Sequence, residues 1–325
     1  MRPAFSVVLL TTLIGAGQGL FLALYTIEIY ASLRLLPFPN AGFFSQGSGI
    51  AVALLVAGLI ASFFHLGHPE RAWRSAARWR TSWLSREVIA LPAVIVAVAL
   101  YGLVHYFHWN LRLLHIQTPI ANDLSLIIGV GAVAVTFTLF LCTGMIYACI
   151  KFLQEWATWL TVANYLLFGL ASGFVLASAY AAYRAPELVL FLATWATILT
   201  LAALITRTAS LIRNARLRHK SSLQTAIGVR HGNIKQKAQG FMGGSFNTRE
   251  FFHGVSARLF RSLKWLFIVL VFPLTVLLVW AGVILHNPGM MAVAFGVQYL
   301  GLFIERWFFF AQANHPQNLY YQVVS

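Results

Sequence analysis

ASFFHLGHPERAWRSAARWRTSWLSRE, residues 61–87, joins two long apolar segments, and its reading decides how the chain is organised. It places His65, five arginines, three tryptophans and two glutamates, Glu70 and Glu87, within 27 residues of a protein that has only 8 acidic side chains. Tryptophan prefers the boundary between hydrocarbon and water, and arginine prefers the headgroups beyond it. A charged, aromatic connection between apolar runs is therefore a loop at a membrane edge.

The composition agrees. Of 325 residues, 59% are apolar and 10% charged, with a mean hydropathy of +0.76; soluble domains carry about 25% charged residues. Crossing a bilayer takes about 20 apolar residues, and eight windows meet that length, at 6–30, 46–66, 87–107, 124–150, 159–182, 187–207, 265–285 and 290–312. The first run is too long for a removable leader and reads as the first span. Tyr183-Arg184-Ala185-Pro186 and His286-Asn287-Pro288-Gly289 break the apolar stretches on either side of them, because proline cannot continue a helix. The expected fold is an all-α integral membrane protein of eight transmembrane helices. It forms one polytopic domain over residues 1–325, with a long loop at 207–264 between the sixth and seventh spans.

Positive charge orients it. The side of the N-terminus holds Arg2, five arginines between Arg71 and Arg86, Lys151, and twelve basic residues from Arg207 to Lys264, 19 in all; the other side holds Arg34, Arg112 and Arg184, 3 in all. Loops rich in Lys and Arg stay in the cytoplasm. Both termini are thus expected inside, on the cytoplasmic face of the membrane. The net charge of +15 reads as attraction to anionic lipid rather than to nucleic acid.

Within the 207–264 loop, GFMGGSFNTREFFHG is unlike a solvated linker. Phe241, Phe246, Phe251 and Phe252, with Arg249 among them, alternate with glycines and read as a surface for partner subunits or as a segment folded back on the membrane domain. Ser245 or Asn247 could cap a short helix with Glu250 as the box residue.

The chemistry concentrates where 61–87 meets the spans. Pro69 suits the first turn of a short helix, with Arg71, Arg74 and Arg78 on one α-helical face and the segment lying flat on the membrane. That brings His65, ending span two, and Glu87, opening span three, to one level of the bilayer. Reducing or oxidising a quinone needs hydrogen-bond partners at the ring oxygens and a route for protons. An imidazole and a carboxylate at an apolar boundary supply both. Arg71, Arg74, Ser85 and Arg86 flank them. Ionisable groups inside spans are costly and usually functional, which adds Glu305 and Arg306 in the last span. Gln18 lies mid-span among Gly15, Gly17 and Gly19, where another helix or a flat ring could approach closely. Glu28, nearer the other side, reads equally as a proton-path residue or a capped surface charge. Haem between spans needs histidines paired within apolar runs, and here the histidines fall at span ends or in loops, so no haem is expected. Cys142 and Cys149 are too far apart to bridge and form no cluster-binding run, and no metal site is expected.

HLGHPERAW at 65–73 with LSRE at 84–87, and more loosely IERWFFF from Ile304, resembles the DmsC family of membrane anchors of molybdenum oxidoreductases. The resemblance implies an eight-span, haem-free anchor whose quinol-binding histidine and glutamate are His65 and Glu87. It also implies an iron–sulfur electron-transfer subunit and a molybdopterin catalytic subunit as partners. The long basic loop looks like that of SoeC-type anchors of cytoplasmic sulfite-oxidising complexes, which implies electrons passing from sulfite to a quinone, ubiquinone or menaquinone. The alternative within the family is an anchor that oxidises menaquinol for a dimethyl-sulfoxide- or polysulfide-type reductase. Outside it stand a secondary transporter, which would show broken helices at the midplane, and a purely structural tether, which would need neither His65 nor Glu87.

Overall fold

Every apolar window folds as a helix, because a spanning segment must satisfy its backbone polar groups internally. The computed structural model describes residues 1–109, 124–218, 220–237 and 250–320. The helices are α1 (Phe5–Ser32), α2 (Ala41–Phe63), α3 (Trp83–Tyr106), α4 (Leu124–Ala148), α5 (Trp159–Arg184), α6 (Val189–Ala215), the short α7 (Leu223–Ile227), α8 (Ala257–Val269), α9 (Thr275–Ile284) and α10 (Pro288–Ala311). Among the described residues, eight rods are long and apolar enough to cross a membrane, with α8 and α9 forming one of them, and no strand occurs. The sequence-derived windows differ mainly at the ends. The sixth helix runs on to Ala215 and the seventh rod begins at Ala257, since basic amphipathic turns extend a helix beyond the hydrocarbon.

Polar caps fix several starts. Asn40 accepts the Phe43 N–H at 2.9 Å before α2, Ser82 that of Ser85 at 3.3 Å before α3, and Asn287 that of Met290 at 3.2 Å before α10. Each satisfies a donor that the first turn leaves without an intrahelical partner. The α8–α9 rod passes through a π-helical turn at Leu270–Leu274 that contains Pro273. The proline removes a ladder donor, and the Thr275 hydroxyl donates to the Leu270 carbonyl at 2.7 Å.

The first helix is the centre of the bundle: 83% of its apolar window is buried, against 33% to 61% in the other spans. It packs along α2 and α5, α3 lies along α2 and α4, and α6 and α10 flank α5. Glycine makes the α1–α5 contact close. A Cβ added at Gly173 would collide with the Gly19 backbone, and Gly15 faces the Gly169 Cα. Gly17 meets α2 at Ala51 and Leu55 instead, so this glycine cluster serves helix packing. Replacing Gly173 by alanine is expected to push α1 and α5 apart, at about 1–3 kcal/mol for overpacking. Thermal unfolding in detergent checks this, and an unchanged midpoint would mean that the helices are not in backbone contact.

The N-terminus meets the C-terminal end of α10 at one end of the bundle, where the Met1 amino group donates to the Ala311 and Ala313 carbonyls at 3.3 and 3.0 Å. The 61–87 connection caps the same end, but as a 3-10 helix at Pro69–Arg78 rather than the α-helix that the arginine spacing predicts. With three residues per turn, Arg71 and Arg74 still share a row. Arg78 leaves it and falls in the row of Ala72 and Ser75.

Candidate functional site

Four helix ends and the 3-10 connection enclose a cavity of about 420 Å³ at this end of the bundle, within the size range of small-molecule sites. Its walls are apolar, from Leu10 of α1, Leu59 of α2, Leu91 of α3 and Ile146 of α4, with the exposed Trp73 and the small Ala72 and Ser75 of the 3-10 turn at its edge. His65, Glu87 and Tyr147 also line it. The two residues singled out by the sequence thus share one enclosure.

Glu87 is 8% exposed, and its Oε1 accepts a hydrogen bond from the Thr143 hydroxyl of α4 at 2.6 Å. A buried carboxyl with one fixed donor has an oxygen left for a ligand. His65 sits just past α2, at the mouth, where protein crowding its ring lowers its pKa by desolvation. The imidazole is therefore neutral near pH 7, with one nitrogen able to donate and the other to accept. Pro92 and Val88 line the wall too. The proline has no N–H to give the carbonyl four residues back, so the Val88 carbonyl lacks its usual donor. A proline within an apolar run is the signal in the sequence that marks this part of the wall.

The other candidates lie elsewhere. Arg71 sits 3.6 Å from Glu70, and Arg74 stacks on Trp73 at 5.5 Å, both outside the cavity wall. Arg86 donates to the Trp79 and Arg80 carbonyls at 2.9 and 2.8 Å and lies over Trp83 at 4.2 Å. It fastens the end of the connection to α3. Ser85 is buried in the first turn of α3, away from the lining. Gln18 donates to the Thr136 carbonyl at 3.0 Å in the core of the bundle. Glu305 and Arg306 are buried beside Arg207, whose Nη2 is 2.8 Å from Glu305 Oε1, with Arg306 Nε 3.6 Å from Oε2. Charge counting puts Arg207 among the loop cations; it lies inside α6 and is 1% exposed.

Phe251 and Phe252 are half-buried. Phe251 stacks on His315 at 3.9 Å, and its carbonyl accepts from Asn318 at 3.0 Å, so this part of the loop folds back on the C-terminal segment. Phe241, Phe246 and Arg249, with the capping residues at 245–248, lie outside the described residues. Glu28, at the far end of the bundle, is wholly buried: the Tyr101 hydroxyl donates to it at 2.6 Å, the Ser125 hydroxyl also donates, and His105 Nε2 lies at 3.3 Å. A shallower space of about 330 Å³ opens between α2 and α3, with no imidazole or carboxylate in its wall.

The chain is similar to known proteins along its whole length. It is 57% identical over 325 residues, covering 100% of both chains, to a subunit of the sulfite dehydrogenase of Allochromatium vinosum. No solved structure matches it. The family model of the DMSO reductase anchor subunit (DmsC) matches residues 3–310, and with it the 61–87 connection and every wall of the cavity, so the chain belongs to the DmsC family of membrane anchor subunits.

Proposed function

We propose that this anchor binds a quinone headgroup between His65 and Glu87, and passes electrons between an iron–sulfur subunit and the membrane quinone pool. The partners are that subunit and a molybdopterin catalytic subunit, docked on the end of the bundle that carries the N-terminus and the cavity mouth. By the charge of its loops, this is the cytoplasmic end. The reaction proposed for the complex is oxidation of sulfite to sulfate with reduction of the quinone, by likeness to the relative whose name is that of a sulfite dehydrogenase.

The observation that carries the reading is the convergence of a neutral imidazole and a buried carboxyl on one apolar cavity. Quinone reduction takes up two electrons and two protons. The His65 N–H can hydrogen-bond one ring oxygen, and Glu87, held by Thr143 through one oxygen, can deliver a proton at the other. Because His65 stands at the mouth, it can also pass protons inward from water. The apolar walls keep bulk water from the ring, which strengthens both hydrogen bonds. Electrons reach the cavity from the partner docked at the same end.

A photoreactive azidoquinone irradiated with the assembled complex tests the place of binding. Label is expected in peptides covering 59–92 and 142–147, and competed away by unmodified quinone. Competable label confined to the far end of α2 and α3, around 45–52 and 99–106, would remove the site from this cavity.

A further inference from the structure

Tyr147 of α4 lines the same cavity, yet it belongs to none of the motifs at 61–87. Its ring is boxed in on several sides. Tyr165 lies parallel to it at 5.5 Å and 12°, while Trp156, Phe309 and Phe310 present ring edges at 5.5, 5.7 and 5.3 Å. A side chain so enclosed is held in place, and its hydroxyl stands beside that of Tyr165, to which it donates until a ligand in the cavity takes the proton. Behind Tyr165 comes a third flat group, the Arg306 guanidinium, 3.7 Å from the ring centroid. That guanidinium is held in turn by Glu305, which Arg207 anchors from α6. Arg306, Tyr165 and Tyr147 thus form a stack from the buried charge cluster to the cavity wall. Cation–π attraction in a dry interior is strong enough to hold such a stack in register.

A quinone carries its two oxygens on opposite edges of a ring. His65 approaches from the α2–α3 connection, while Glu87 and Tyr147 stand on α3 and α4. We propose that Tyr147 is the third residue that binds the quinone headgroup, its hydroxyl donating to the ring oxygen that Glu87 serves. Arg306 is the positioning residue that keeps it there through Tyr165. The inference rests on the quinone reading above and deepens it: the phenol supplies a neutral donor that persists when Glu87 has given up its proton. It also gives Glu305 and Arg306 a part in the site without placing them in the cavity wall.

The test uses the assembled complex, with short-chain ubiquinone as acceptor and ferricyanide-dependent sulfite oxidation as the control for the catalytic subunit. Tyr147→Phe keeps the ring and its cage and removes the donor. Its quinone KM is expected to rise about tenfold, the loss of one good hydrogen bond, with ferricyanide turnover unchanged. Arg306→Gln should raise the KM in the native background and add nothing in the Tyr147→Phe background, because it acts only through that hydroxyl. Arg306→Lys, which retains charge but not the flat stacking group, should fall between. Quinone KM and kcat within about twofold of native in Tyr147→Phe, while Glu87→Gln abolishes quinone turnover, would overturn the role of Tyr147 and leave the site standing. An equal effect of Arg306→Gln in both backgrounds would make Arg306 a structural residue only. Unaltered quinone turnover in Glu87→Gln and His65→Gln would instead defeat the quinone reading itself.

Discussion

Glu87→Gln is expected to lower quinone-dependent turnover of the assembled complex by about 100-fold or more, the range for loss of a positioned general acid. The substitution is isosteric. The amide carbonyl can still accept the Thr143 hydroxyl, now made at 2.6 Å, so the helices α3 and α4 keep their contact and the cavity its shape. What disappears is the exchangeable proton at the buried end of the site. Oxidation of sulfite with ferricyanide, which draws electrons before they reach the membrane, should be unaffected. His65→Gln is expected to act less severely, since glutamine can still donate to a ring oxygen and water has access at the mouth. A Glu87→Gln complex that turns over quinone at the native rate would take the carboxyl out of the chemistry.

The largest effect on stability is expected at Glu305. Its carboxylate stands between Arg207 at 2.8 Å and Arg306 at 3.6 Å, and all three side chains are buried. Taking away one member of a buried ion pair costs about 3–5 kcal/mol, because the partner left behind is neither solvated nor compensated. Glu305→Leu strands two guanidiniums at once, so the protein should fail to accumulate in the membrane or should unfold at a markedly lower temperature in detergent. Arg207→Met with Glu305→Leu restores the original balance of buried charge, and the double variant is expected to regain much of the loss. Single and double variants that unfold together would show that the cluster is hydrated and its charges independent. Such clusters are weak evidence for stability as such, and the stack leading from Arg306 to Tyr147 offers a functional reason for this one.

Much of this is legible in the chain. Eight helices follow from the length of the apolar runs, and the breakers at Pro186 and Pro288 mark two of the turns. His65 and Glu87 stand out because charged groups are scarce, and a short connection fixes both at one depth. Other features are not written in local sequence. Thr143 and Tyr147 are ordinary residues of an apolar helix, and only the packing of α4 against α3 turns them toward Glu87. Arg207 follows an apolar run and precedes a basic one, so charge counting assigns it to the loop; the Glu305 carboxylate, almost 100 positions later in the chain, draws it inside. Proximity in sequence groups Arg71, Arg74 and Arg86 with the site. The 3-10 geometry and the carbonyls of Trp79 and Arg80 direct them elsewhere.

The cavity mouth, the N-terminus and the C-terminal end of α10 share one end of the bundle. With the partner seated there, as proposed, electrons and protons arrive from a single compartment. No net charge then traverses the dielectric slab during turnover, and the catalytic rate is indifferent to membrane voltage. An energised membrane would neither drive this anchor nor be charged by it; energy would be conserved only downstream, when the reduced carrier diffuses away to another enzyme.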